Sequence, residues 1–135
     1  MDAAGPGFWP GSGYDVANAG HISPYLKGQE VPVENGLPLG LMADSTYPES
    51  SFHQEENEQI TLVTDGVVEA RSVSGELFGF ERTAEIAAQS AESISRTAQE
   101  FGQDDDITVL TLTRLPVGKP FSTPQTATVL SPSIV

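Results

Sequence analysis

The sequence predicts an α+β fold, and three observations carry that reading. Residues 59–64 and 107–114 alternate as strands do, residues 81–101 between them carry an apolar stripe at helical spacing, and short turn-separated apolar stretches precede all three. Strands first, then helix, then strand is the order of layered α+β proteins rather than of a parallel βαβ sheet. The 135-residue length suits one domain. No repeat recurs at periods of roughly 20–50 residues, which excludes a solenoid.

The elements follow in chain order. Residues 1–13 hold four glycines and two prolines, the composition of a flexible N-terminal segment, so structure is expected from Tyr14. Stretches 14–19 and 25–33 are short, apolar and β-branched, and are broken by Gly20, Pro24, Gly28 and Pro32, which predicts short strands joined by turns. Asn35-Gly36 and Pro38 bring turn chemistry to residues 34–40, and the polar stretch 43–57 reads as loop with one weak strand.

The run 59–64 places Ile60 and Leu62 on one face and Thr61 and Val63 on the other, and Asp65-Gly66 closes it. Farther on, Ala84, Ala87, Ala91, Ile94, Ala98 and Phe101 fall three or four apart and form one narrow helical stripe, stopped by Gly102. Ser90 has the chemistry of an N-cap, so this region is either one helix or two short ones. The run 107–114, ITVLTLTR, alternates Thr and Val with larger aliphatics as a sheet strand does. Residues 116–135 hold four prolines and no acid, which predicts an extended Pro/Ser/Thr-rich tail and leaves 14–115 as the folded domain.

Nineteen acidic residues against six basic ones give a net charge of −13, which excludes a nucleic-acid surface and favours cations or basic protein patches as partners. With no cysteine, neither a disulfide framework nor a thiolate metal site can form. There is no apolar run long enough to span a bilayer and no secretory leader after Met1, so a cytoplasmic protein with no membrane segment is expected.

The acidic residues fall at instructive places. Asp65 ends one predicted strand, and Asp104, Asp105 and Asp106 precede another. If the two strands are antiparallel neighbours, both acidic groups lie at one edge of the sheet. Clustered carboxylates repel one another unless a hard cation such as Mg²⁺ or Mn²⁺ resolves the repulsion. A solvated acidic turn is the alternative, and both readings stay open on these residues alone.

Five stretches in order carry a resemblance: Ala17-Asn18-Ala19-Gly20-His21, Leu37-Pro38-Leu39-Gly40-Leu41, the run from Leu62 to Arg71 (LVTDGVVEAR), Gly75-Glu76-Leu77-Phe78-Gly79, and Asp105-Asp106-Ile107-Thr108. Together they resemble the later half of SpoIIE-type phosphatases, a bacterial branch of the metal-dependent, protein phosphatase 2C-like (PPM) superfamily. The resemblance implies a PPM-type β-sandwich flanked by helices, incomplete at its N-terminus, and two Mn²⁺ or Mg²⁺ ions at one end of it. It maps metal ligation onto Asp65 and Asp105, with Asp104, Asp106 and Gly66 as neighbours that bind or support the ions. The implied chemistry is phosphomonoester hydrolysis by metal-activated water, with no covalent phosphoenzyme. The implied substrate is a phosphorylated Ser/Thr regulatory protein, such as an anti-sigma-factor antagonist in bacterial partner switching.

The departures are equally specific. The family's two earlier acidic motifs have no counterpart here, so the expected site is partial, its metal binding loose, and an apolar face with free strand edges is left bare. A catalytically inactive phosphatase-like binding module, or a gene fragment, is therefore the competing reading. His21 reads as a hydrogen-bonded structural group, His53 as an exposed loop residue, Glu69 and Arg71 as close enough to touch the site but more commonly a surface ion pair, and Phe8 and Trp9 as apolar surface.

Overall fold

The computed structural model describes residues 13–116 and 127–130. Of the expected N-terminal segment 1–13, only Gly13 lies within the described residues. Of the expected tail 116–135, Pro116 and residues 127–130 do. In chain order the elements are β1 (Gly13–Ala17), β2 (Tyr25–Leu26), β3 (Gln29–Glu30), β4 (Glu49–His53), β5 (Gln59–Val63), α1 (Asp65–Val68), α2 (Gly79–Ile86), α3 (Ala91–Gly102), β6 (Ile107–Thr113) and β7 (Ala127–Leu130). The fold is α+β, with two antiparallel sheets: β1 pairs with β4, and a larger sheet runs β3-β2-β5-β6-β7.

Period-two alternation explains how the larger sheet faces its neighbours. Thr61 and Val63 of β5 and Ile107, Val109 and Thr111 of β6 are buried beneath the helices, where Thr61 Oγ1 donates to the Ala87 carbonyl at 2.6 Å. The core there joins Val63, Ile107 and Val109 to Val67, Ala87, Ala91, Ile94 and Ala98. On the opposite face, Ile60, Leu62 and Leu112 look toward Tyr14 and Val16 of β1 and Phe52 of β4. Gln54, fully buried just beyond β4, ties the two layers: it accepts from Tyr14 Oη at 2.8 Å and donates to the Glu58 and Leu112 carbonyls at 2.6 and 3.0 Å.

The β2–β3 hairpin turns on Lys27 and Gly28, whose φ values of 55° and 72° are those of a two-residue primed turn. Lys27 is held by an ion pair to Glu58 at 2.7 Å. Of the two helical readings, the structure takes the second. The stripe breaks after Ile86, and Ser90, with extended backbone, caps α3 by accepting from the Ser93 N–H at 3.1 Å. At 127–130, where the sequence reading has tail, the chain is a strand against β6, with Ile107 opposite Leu130 and Leu110 opposite Ala127. Its β-branched run is short, and the surrounding prolines dominate the local composition, although they lie outside the strand itself.

Candidate metal-binding edge

The antiparallel register of β5 and β6 ends with Val63 opposite Val109. One step further, Thr64 and Thr108 clasp each other. The Thr64 N–H donates to the Thr108 carbonyl at 3.0 Å, and the Thr108 N–H donates to Thr64 Oγ1 at 2.9 Å. Because its hydroxyl is engaged across the sheet, Thr64 does not cap α1 with its side chain, although it occupies the N-cap position. Asp65 is then the first residue of α1 and is exposed.

Gly66 is buried and sits hard against the other acidic corner. A Cβ at Gly66 would lie 2.0 Å from the Asp106 carbonyl oxygen and 3.3 Å from that of Asp105, so only glycine permits this approach. Asp104, Asp105 and Asp106 are all exposed. The Asp106 N–H donates to Asp105 Oδ1 at 2.8 Å, which fixes the Asp105 carboxylate, while Gln103 Nε2 donates to the Asp105 carbonyl at 3.3 Å and to the Leu130 carbonyl at 3.0 Å. The structure thus brings the two acidic corners to one edge of one sheet. Among the described residues, however, no three His, Cys, Asp or Glu side chains converge as a group that could hold an ion.

A second close approach braces the same edge from behind. A Cβ at Gly102, which has a φ of +146°, would lie 1.9 Å from the Arg71 carbonyl oxygen, and the Arg71 N–H donates to the Gly102 carbonyl at 2.8 Å. The segment after α1 is therefore pinned to the end of α3. Arg71 spends its guanidinium on the Gly75 carbonyl at 3.0 Å, and Glu69 makes no ion pair among the described residues.

His21 is exposed and structural. Its Nδ1 lies 2.8 Å from the Ile22 carbonyl, and the buried Asn18 accepts from its N–H at 2.7 Å and donates to its carbonyl at 2.8 Å. Gly20 in that turn has a φ of +86° and packs against Pro38, while the Gly36 N–H donates to the Asn18 carbonyl at 2.7 Å. The motifs singled out in the sequence are thus packing partners: the Asn18–His21 turn docks on the 35–38 loop, Thr64-Asp65-Gly66 on 105–108, and Phe78 on Ala70, whose carbonyl accepts from the Phe78 N–H at 2.7 Å. Sequence reasoning missed the Thr64–Thr108 clasp. Its signal was a hydroxyl residue at the acidic end of each strand.

An antiparallel sheet with helices on one face and a second antiparallel sheet on the other is consistent with part of a PPM-type fold. The family model described as Stage II sporulation protein E (SpoIIE) matches residues 10–115, and the chain belongs to that family. Comparison with curated proteins gives no match, and neither does comparison with solved structures. No helix among the described residues is long and apolar enough to cross a membrane.

Proposed function

We propose that residues 14–115 form a phosphatase unit that removes phosphate from serine or threonine of a regulatory protein, with Asp65 and Asp105 holding Mg²⁺ or Mn²⁺. The observation that carries this reading is the Thr64–Thr108 clasp with the Gly66 approach, which fixes both acidic corners at one edge of a chain of the SpoIIE family. The donor chemistry fits such an ion, though only in part: Mg²⁺ keeps several waters and takes one or two protein carboxylates beside substrate phosphate oxygens, so the hard, short carboxylates of Asp65 and Asp105 would hold it loosely at an open site.

When bound, the ion supplies positive charge that neutralises phosphoryl oxygens and acidifies water. Asp65 and Asp105 provide the anionic edge, and Asp104 and Asp106 add to its field. Gly66 keeps the corners in contact, and the Asp106 N–H holds the Asp105 carboxylate in one orientation. The phosphoprotein partner, such as an anti-sigma-factor antagonist in a cytoplasmic partner-switching circuit, would present its phosphate to that edge.

The test is hydrolysis of p-nitrophenyl phosphate and of a phosphoserine protein with Mn²⁺ present. The site is partial, so turnover by the chain alone is expected to be weak, and it is expected to vanish in the Asp65→Asn, Asp105→Asn double variant. Activity that survives both substitutions overturns the assignment. A second reading, a phosphatase-like module that binds without catalysis, is favoured by the lack of a three-carboxylate group among the described residues. It predicts no turnover at millimolar Mn²⁺ together with retained binding of the phosphoprotein.

A further inference from the structure

The acidic corner ahead of β6 is gripped from two sides. On one side stands Gly66, against the Asp105 and Asp106 carbonyls. On the other is Gln103, the C-cap residue of α3, which leaves the helix in extended geometry. Its Nε2 carries two N–H groups, and both are used: one reaches the Asp105 carbonyl at 3.3 Å and the other the Leu130 carbonyl at 3.0 Å. Leu130 ends β7, the strand at the margin of the larger sheet, and lies opposite Ile107, the first residue of β6. Its side chain packs against the core, and β7 touches α3. The match to the family model ends at residue 115, so the Gln103 amide joins an acidic corner inside the matched region to a strand outside it.

We propose that Gln103 is a positioning residue that couples the docking of β7 to the geometry of the Asp105 corner, so that holding or releasing this strand tunes the acidic edge. Its functional consequence rests on the assignment of Asp105 as a metal ligand, whereas the coupling itself does not. The physical chain has three links. Docked β7 fixes the Leu130 carbonyl, which holds the Gln103 side chain in place. The same amide then holds the Asp105 peptide, and the Asp106 N–H, next along the backbone, donates to Asp105 Oδ1 at 2.8 Å and sets the direction of the carboxylate. With β7 released, Gln103 loses the shorter of its two bonds, and the exposed residues 104–106 lose a brace. Such a coupling is reciprocal, so a cation that settles the corner must tighten β7 by the factor by which β7 tightens the cation. One hydrogen bond of ordinary net strength sets that factor at about fivefold. A simple helix cap would leave the strand and the corner independent.

The test reads the Asp106 amide by nuclear magnetic resonance in the full chain without metal. Leu130→Ala loosens β7 and leaves every donor at the corner in place. It is expected to shift the Asp106 resonance, and to shift it far less in the Gln103→Leu background, where the link is already cut. A resonance unmoved by Leu130→Ala, or moved equally in both backgrounds, would overturn the proposal. A second measurement uses Mg²⁺, which is expected to slow hydrogen exchange of the 127–130 amides about fivefold in the parent and not in Gln103→Leu. Unchanged exchange in a parent that binds Mg²⁺ by calorimetry would overturn it equally. A parent that takes up no Mg²⁺ would refute the ligand assignment alone, because the resonances read without metal decide the coupling.

Discussion

Replacing Gly66 with alanine sets two well-understood effects against each other. Gly66 lies in α1 with ordinary helical geometry, so intrinsic propensity alone predicts that alanine stabilises the protein by about 0.5–1 kcal/mol. The structure predicts the opposite sign. The new Cβ would stand 2.0 Å from a backbone oxygen, that of Asp106, and ordinary contact begins at 3.4 Å, so the two corners must part by about 1.4 Å. No rotamer change relieves a clash with backbone. Overpacking of this kind costs about 1–3 kcal/mol, and an opening of that size also breaks the Thr64–Thr108 hydrogen bonds of 3.0 and 2.9 Å, each contributing about 1 kcal/mol.

Set against the propensity gain, the net loss in Gly66→Ala is about 2–4 kcal/mol. For a domain of this size that lowers Tm by roughly 10–30 °C. Circular-dichroism melting of the two proteins reads it directly, and hydrogen exchange at Thr64 and Thr108 should rise selectively. A Gly66→Ala protein as stable as its parent, or more so, would show that the close approach of the two corners is not a real feature of the fold.

Three further outcomes follow from the same reasoning. Ser90→Ala removes the cap of α3 and is expected to cost about 1 kcal/mol in urea unfolding, with Ser90→Gly retaining most of the stability. Gln54→Leu keeps bulk but strands the Tyr14 hydroxyl and removes one of the donors to the Glu58 carbonyl, which keeps the Arg114 N–H, so a loss of about 1–3 kcal/mol is expected by the same measurement. Tyr25 is buried with no partner for its hydroxyl among the described residues, and burial, aided by the negative charge of Glu30, pushes its pKa from 10.0 up to about 12. The folded protein therefore holds this proton longer than the unfolded chain, and stability falls as pH rises from 10 to about 12. Tyr25→Phe should be neutral or stabilising at pH 7 and should lack that part of the alkaline loss; identical alkaline melting curves would contradict it.

Much of the fold was legible in the sequence because it rests on local pattern. The alternation of β5 and β6 follows their burial, Ser90 marks the break between α2 and α3, and Gly102 ends α3. The meeting of Asp65 with the 104–106 corner was legible as a geometric condition, met once β5 and β6 are antiparallel neighbours. Long-range facts were not. Nothing local in Glu49–His53 announces its pairing with β1, since its Ser50 and Ser51 are weak strand formers. The strand Ala127–Leu130 was hidden by flanking prolines. Glycine identity alone could not distinguish the crowded Gly66 and Gly102 from Gly40 and Gly75, which have open space around them.

The clasp between Thr64 and Thr108 also separates two lengths that a protein must otherwise keep in step. Everything between these threonines, including all three helices, is an excursion that leaves one end of a strand pair and returns to it. Lengthening α2 or α3 by a turn leaves the acidic edge where it was. A single residue gained within β5 instead rotates Thr61 and Val63 away from the helices, and a two-residue slip carries Asp65 about 7 Å along its neighbour. Variation among relatives should therefore gather in the helical excursion and be nearly absent from the two short strands that anchor it.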